Sequence, residues 1–399
     1  MRLFQHSPNA EKSFIDFVTQ LQTQGILKGE EISSMFFRVC TEVSVDSYIK
    51  QKAVGGSVAT GIFAPCDAFS KLVVLMIKYH ADPNGTNKEQ AKVHYLTKIL
   101  SIIVLVLAQS HEELGAHFQQ KPFFRIFSSL LHDLSLAEAS LQTAYYHSLA
   151  AISNTLNTLQ PAFFPGFTFS WMSLLSHRVL LPHLLGPSNR SGWASFHRLI
   201  TSLLRFMAPF LRSVELRETS RSVYRGAVRI FLILLHDFPE FLAAYSHSLC
   251  DLVPTSAIQL RNIVLCAYPR KLRLPNPFDK HLQISSMAEA KILPDFVPEQ
   301  LQALDAVFGM KDNIELCLQE PADVPDMAAQ IHTAVCDLAL SRPGQQETRF
   351  RVPLLNAVVT HIGFTAIEHR GNTGKDHGKG LLKGLLHEFN TEGEHHESA

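Results

Sequence analysis

The segment that decides the fold class is Leu96–Leu107, which reads LTKILSIIVLVL. Its apolar residues recur three or four positions apart, at Leu96, Ile99, Leu100, Ile103, Val104 and Leu107. Since an α-helix has about 3.6 residues per turn, this spacing puts them on one side of a helix. The segment therefore predicts an amphipathic helix with one apolar side facing a core.

The same spacing continues along most of the chain, beginning with Phe14–Leu21 and Leu72–Tyr79. Further helices are predicted at Pro122–Leu134, Ser135–Leu156, Phe167–His177, Trp193–Leu211, Arg217–His236 and Ala257–Tyr268. No segment alternates in the manner of a strand. Helices of this length with short connections predict an all-α fold: HEAT-like antiparallel helical pairs stacked as an elongated scaffold, without a strict sequence repeat.

Five prolines between Pro269 and Pro298 predict an extended crossover between two helical blocks. We expect a HEAT-like block at residues 1–285 and a second, incomplete helical block at residues 286–370. The last 30 residues contain six glycines, and each costs about 1 kcal/mol inside a helix. Residues 371–399 are therefore expected to form a flexible tail with one short helix near Leu381–Phe389.

Composition narrows the classes of function. Lys plus Arg and Asp plus Glu both number 36, which argues against a chain-wide field that attracts nucleic acid or an anionic membrane. The six cysteines form no CxxC pair and are expected to be reduced thiols of an intracellular protein. The N-terminus has no signal-peptide pattern, and the pure apolar runs are shorter than a membrane span.

The sequence segments that could indicate a metal site or a phosphate-binding loop do not have the residue spacing that these sites require. His111–Glu113 lacks the second histidine of a helical zinc motif, and Gly374–Lys379 lacks the spacing of a phosphate loop. His132–Asp133 and His236–Asp237 each end an apolar helix, where a histidine complements the helix dipole. We predict no catalytic residue, no metal site and no cofactor, so the protein is not expected to be an enzyme.

One charge pattern stands out, because Arg217, Arg221, Arg225 and Arg229 recur every four residues and form a stripe along one helix. The stripe is either a solvated basic face or a ridge that binds an acidic peptide or a phosphate. Nucleic acid is the alternative ligand, but single-stranded RNA favours exposed aromatic side chains between the charges. Tyr224 is the one candidate, so a protein partner is preferred.

Three stretches resemble a known family. They are Pro161–Leu185 (PAFFPGFTFSWMSLLSHRVLLPHLL), Tyr224–Leu242 (YRGAVRIFLILLHDFPEFL) and Ile258–Phe278 (IQLRNIVLCAYPRKLRLPNPF). Together they are similar to the C-terminal homology region of the NOT-one scaffold, the largest subunit of the CCR–NOT mRNA-deadenylation complex. The resemblance covers residues 30–285 and continues more weakly at Leu354–His369 and Asn390–Gly393.

The resemblance implies a non-catalytic platform that binds the NOT-box subunits NOT-two and NOT-three/five and is linked indirectly to the deadenylases. Its roles would lie in mRNA deadenylation and decay and in translational and transcriptional repression. We expect it in the cytoplasm, including P-body-like foci, and in the nucleus. The candidate partner contacts are Arg217, Arg221, Arg225, Phe163, Phe164, Phe167 and Trp171.

Two expectations concern packing. In the family the chain continues beyond the NTEG segment, so the absent helices should leave apolar surface exposed at Leu354, Leu355, Val358, Val359 and Ile362. On the predicted helices around Pro239, the side chains expected to be mostly buried are Phe231, Leu234, Leu235, Phe238 and Phe241.

Overall fold

The structure is a computed structural model of the 399-residue chain. It describes residues 10–26, 29–53, 61–80, 88–186, 190–212, 215–272, 276, 278–283, 296–305, 307–319, 324–337, 351–373 and 377–396. The chain forms two compact units, Met1–Arg273 and Leu274–Ala399. The boundary after Arg273 replaces the one predicted after residue 285, and most of the predicted proline-rich crossover lies outside the described residues.

The first unit is built from helices that alternate between two rows. Its helices are α1 (Ala10–Thr23), α2 (Glu30–Ala53), α3 (Ala64–Tyr79), α4 (Lys88–Leu114), α5 (Gln120–Leu136), α6 (Glu138–Leu141), α7 (Thr143–Thr158), α8 (Thr168–Leu175), α9 (Leu180–Leu185), α10 (Trp193–Leu211), α11 (Glu218–Asp237), α12 (Pro239–Ala244), α13 (Ser246–Leu252) and α14 (Ile258–Leu265). The first row is α2, α4, α7, α10 and α13, and the second row is α3, α5, α8, α11 and α14; each helix packs on the next member of its row. Because the described residues contain no strand, the structure confirms the all-α fold of stacked helices.

The segment Leu96–Leu107 lies in α4 and packs between α2 and α7 of the first row. Its inner residues Leu96, Ile99 and Leu107 are fully buried. By length and composition alone, Glu89–His117 would also be long and apolar enough to cross a membrane. Part of that hydropathy belongs to the buried face, because a helix that packs between α2 and α7 is apolar toward these neighbours.

The end of α11 confirms most of the predicted core. Phe231, Leu234 and Phe241 are fully buried, and Leu235 and Phe238 are partly buried and pack against the same core. Phe238 stands between α11 and α12 with a non-helical backbone (φ −135°, ψ 51°). Its side chain still packs against the core of the first unit.

The second unit has its own core, formed by α15 (Phe296–Asp305), α16 (Met310–Gln319), α17 (Val324–Cys336), α18 (Val352–Thr373) and α19 (His377–His396). Leu354, Val358 and Ile362 of α18 are buried in this core, whereas Val359 is exposed and Leu355 is half-buried. The expected apolar patch is therefore wrong for three of its five residues. These residues pack on the neighbouring helices α15, α16, α17 and α19.

Helix α19 is 20 residues long, which is longer than the short helix predicted near Leu381–Phe389. Its glycines permit close packing. A Cβ at Gly378 would lie 2.4 Å from the Ala366 Cβ, and a Cβ at Gly384 would lie 3.4 Å from the Ala328 Cβ. Part of the predicted loop between Arg370 and Gly380 falls on residues 374–376, outside the described residues.

Candidate protein-docking surface

Helix α11 separates its apolar and basic residues on opposite faces. Glu218 stands in its first turn, where a carboxylate favours the helix dipole. Its buried face carries Val223, Ala227, Ile230 and Leu234, at spacings of three and four. The opposite face carries Arg221, Arg225 and Arg229, and Arg217 precedes the helix as its N-cap with an extended backbone (φ −62°, ψ 154°); all four are exposed. We call these four arginines the arginine ridge.

The arginine ridge has little internal charge compensation among the described residues. The Glu218 carboxylate lies 3.5 Å from Nη1 of Arg221 and 3.9 Å from Nη1 of Arg225, so one acid serves two guanidinium groups. Exposed pairs of this kind contribute little to stability. Leu232 lies within the same face and is 48% exposed. The ridge therefore offers cationic donors beside an apolar contact, which the sequence reasoning missed although its helical spacing could have revealed it.

The C-terminal end of α11 is held by the third of the family-like stretches. Nη2 of Arg270 donates to the backbone carbonyls of His236 (2.6 Å) and Asp237 (3.0 Å), and the Arg270 backbone N–H donates to Glu240. Carbonyls in the last turn of a helix have no partner within that helix, and a cation there also favours the helix dipole. His236 lies in the last turn of α11, as predicted, and Arg270 adds a second cation at the same helix end.

The aromatic segment Phe163–Trp171 faces mostly inward. Phe167 and Trp171 are fully buried, and the Trp171 indole Nε1 donates to the Leu156 carbonyl of α7 at 2.7 Å. The prediction that these two rings contact a partner was therefore wrong. Large rings with a satisfied polar atom are core anchors.

The start of the same segment reaches the surface. Phe164 is half-buried and packs edge-on against His111, with ring centroids 5.6 Å apart. The His111 Nε2 accepts the Gly166 backbone N–H at 3.2 Å, and a Cβ at Gly166 would lie 3.0 Å from the same ring. Phe163 is 65% exposed. Phe163 therefore remains a candidate contact, and Phe164 mainly supports the turn before α8.

The two surfaces predicted separately belong to helices that touch. Helices α8 and α11 are successive members of the second row, and Met172 of α8 packs over Gly226 of α11, where a Cβ would approach the Met172 Cε to 2.7 Å. Phe169 lies one turn before Met172 on α8 and is exposed. An exposed aromatic ring thus lies on the helix that packs against α11.

The Tyr224 side chain, which was considered for stacking on RNA, already makes contacts within the protein. Tyr224 is half-buried, and its hydroxyl donates to Oε1 of Gln259 on α14 at 3.4 Å. Burial raises the pKa of its hydroxyl.

Two further arginines near α10 also have neighbours: Arg190 lies over the Trp193 ring at 4.9 Å, and Arg198 donates to Asn154. These contacts favour a protein ligand over single-stranded RNA at the ridge.

Two serine and histidine pairs have the distance of a nucleophile and its base: Ser128 with His177, and Ser248 with His197, whose Nε2 lies 2.8 Å from the hydroxyl. In the second pair the Ser248 hydroxyl donates to the Tyr245 carbonyl. In the first pair the histidine proton is on the wrong nitrogen. His177 Nε2 lies 3.2 Å from the Ser128 hydroxyl, while His177 Nδ1 accepts the Val179 backbone N–H. Burial, together with the Arg178 cation, lowers the pKa of His177 and keeps the ring neutral. A neutral ring that accepts at Nδ1 carries its proton on Nε2, so it donates to Ser128 and cannot deprotonate it.

The described residues also contain no group of three or more potential metal ligands.

Comparison with known proteins gives consistent matches. The family model described as "CCR4-Not complex component, Not1" matches residues 130–397. The "CCR4-NOT transcription complex subunit let-711" of Caenorhabditis elegans is 32% identical over 92% of this chain and 14% of its own length. The "General negative regulator of transcription subunit 1" of Schizosaccharomyces pombe is 31% identical over 84% of this chain and 16% of its own length. The chain thus spans about one sixth of the length of these relatives.

Two solved structures share the fold. The NOT1 superfamily homology domain from Chaetomium thermophilum has a TM-score of 0.76 at 26% identity, over 95% of this chain and 74% of that one. A Not1 C-terminal domain in complex with Not4 has a TM-score of 0.72 at 26% identity, over 96% of this chain and 76% of that one.

Two rows of helices that stack around a shared apolar core define a class of layered all-helical proteins. Within that class, this chain belongs to the Not1 family of CCR4-Not complex components.

Proposed function

We propose that this chain is a non-catalytic docking platform of the CCR4-Not complex, and that acidic segments of its partner proteins bind along the second row. The observation that carries this proposal is the exposed arginine ridge, in which Arg221 and Arg225 share a single carboxylate. Acidic side chains of a partner would relieve the repulsion among the arginines and accept charge-assisted hydrogen bonds. Leu232 and Phe169 would add apolar contacts beside these charges.

The proposed partners are the NOT-box subunits NOT-two and NOT-three/five, and also Not4. The family resemblance supports the first two. The similar Not1 domain solved in complex with Not4 supports the third. Through these partners the platform would act in mRNA deadenylation and decay and in translational and transcriptional repression, in both cytoplasm and nucleus.

Catalysis would belong to other subunits. The proton arrangement at Ser128 and His177 supports this assignment, since it prevents the histidine from activating the serine.

Co-purification tests the proposed function. The 399-residue chain would be co-expressed with NOT-two plus NOT-three/five, and separately with Not4, and each mixture separated by size-exclusion chromatography. We expect at least one of these partners to co-elute with the chain at a fixed ratio. If the folded chain, checked by its helical circular dichroism spectrum, elutes apart from all three, the proposed function is wrong.

A further inference from the structure

A cavity of about 340 Å³ opens between α3 and α5, in the second row but outside the arginine ridge. Its polar lining is formed by Asp67, Lys71, Arg125, Ser129, His132 and Asp133. This volume is at the lower end of the range for ligand pockets, about 300–1,000 Å³. It suits a single long side chain better than a cofactor.

One of the two carboxylates in the cavity is fully engaged. Asp67 accepts two hydrogen bonds from Arg125, at 2.6 Å from Nε and 2.8 Å from Nη2. It also accepts the Ser129 hydroxyl at 2.6 Å. A bidentate guanidinium pair of this kind has strong directional hydrogen bonds. The charges of Asp67 and Arg125 therefore neutralise each other, and the Ser129 hydroxyl proton is committed to Asp67.

The second carboxylate has no such partner. Among the described residues, no side chain lies within hydrogen-bonding or ion-pairing distance of the Asp133 carboxylate. Burial raises its pKa to about 6, although His132 and Lys71 act in the opposite direction. Lys71 itself is exposed. A half-buried carboxylate that faces a cavity without a donor is a common feature of binding sites.

The cavity lining also has an apolar part, formed by Ala64 and Ala68 of α3. An aliphatic stem that enters the cavity would contact these methyl groups, with its charged end at the Asp133 carboxylate. Lysine and arginine side chains have this combination of an apolar stem and a cationic end.

We propose that the cavity between α3 and α5 is a receptor for one lysine or arginine side chain of a partner protein, with Asp133 as the residue that pairs with the cation. The Arg125 guanidinium makes its hydrogen bonds to Asp67 and acts on Asp133 only at longer range. The site lies in the same row as the arginine ridge but requires the opposite charge. A partner segment that occupies both would therefore carry a basic residue and an acidic group at separate positions.

The test uses small probes, so that it does not depend on the identity of the partner. The full chain would be labelled with ¹³C at its alanine methyl groups, because Ala64 and Ala68 line the cavity. Nα-acetyl-lysinamide and Nα-acetyl-argininamide are the probes, with Nα-acetyl-norleucinamide and Nα-acetyl-glutamate as controls. We expect the two cationic amides to shift the Ala64 and Ala68 resonances saturably, with Kd of about millimolar magnitude for a single side chain.

Asp133→Asn should weaken this binding at least about tenfold, while Asp46→Asn on the exposed face of α2 should leave it unchanged. A second measurement needs no variant. Since the Asp133 pKa is about 6, wild-type binding at pH 5 should be about tenfold weaker than at pH 7. The titratable and charged groups around Asp133 are Lys71 and Asp67 on α3 and His132 and Arg125 on α5.

Three results would overturn the proposal: no shift with either cationic amide, an equal shift with norleucinamide or glutamate, or tighter binding at pH 5 than at pH 7. Failure here would leave the proposed docking function standing, since that function is tested with whole partner proteins.

Discussion

The aromatic segment before and within α8 and the arginine ridge on α11 belong to neighbouring helices, yet they point their characteristic side chains in opposite directions. Trp171 and Phe167 are buried, and their apolar area contributes to stability. The arginines of the ridge are exposed, where four like charges cost only a few tenths of a kcal/mol per pair. The comparison separates folding from binding: changes at the rings should alter stability, and changes at the ridge should alter association.

The largest expected effect is at the ring that anchors α8. Trp171→Ala removes a fully buried indole and its hydrogen bond to Leu156. It should lower the free energy of unfolding by about 3–5 kcal/mol, measured by urea denaturation followed by circular dichroism.

The matched control is Phe163→Ala, at the exposed end of the same segment, which should change stability by less than about 0.5 kcal/mol. Equal losses from the two variants would mean that the segment is not divided into a buried and an exposed part.

A smaller effect is expected where the two helices meet. Gly226→Val places a branched side chain where a Cβ would already approach Met172 Cε to 2.7 Å. It should destabilise the fold by about 1–3 kcal/mol, because the crowding forces α8 and α11 apart.

Gly226→Ala is the control, measured by the same denaturation. Its single methyl group can be accommodated by the flexible end of Met172, and alanine favours a helix over glycine by about 1 kcal/mol. Its stability should therefore stay close to that of the wild type. A valine variant as stable as the alanine variant would show that Gly226 is not a point of close contact.

Much of this architecture could be predicted from the sequence. The periodicity at Leu96–Leu107 indicated a packed helix, and the stripe from Arg217 to Arg229 indicated an exposed face. Both are local patterns, in which the side-chain direction follows from 3.6 residues per turn. The same rule could have identified Leu232 on the ridge.

The remaining features depend on contacts between distant residues. Phe167 and Trp171 are apolar, so sequence alone did not decide whether they face the core or a partner. The glycines at Gly378 and Gly384 indicated flexibility, because their close neighbours, Ala366 and Ala328, come from other helices. The cavity at Asp133 also depends on Asp67, which only the packing of α3 on α5 brings near.

The most direct test of the account is the association rate of an Arg221→Glu, Arg225→Glu double variant with a partner that co-purifies with the wild type. Both arginines are exposed, so the thermal melt should be unchanged. The association rate should fall about tenfold at low salt and by less at high salt, since long-range attraction is screened.

The control is Lys50→Glu with Arg198→Glu, which makes the same change in charge at exposed positions of the first row. This control should leave the association rate close to that of the wild type. An unchanged melt with an unchanged association rate and affinity in the ridge variant would contradict the central claim, because the arginine ridge would then be only a solvated face.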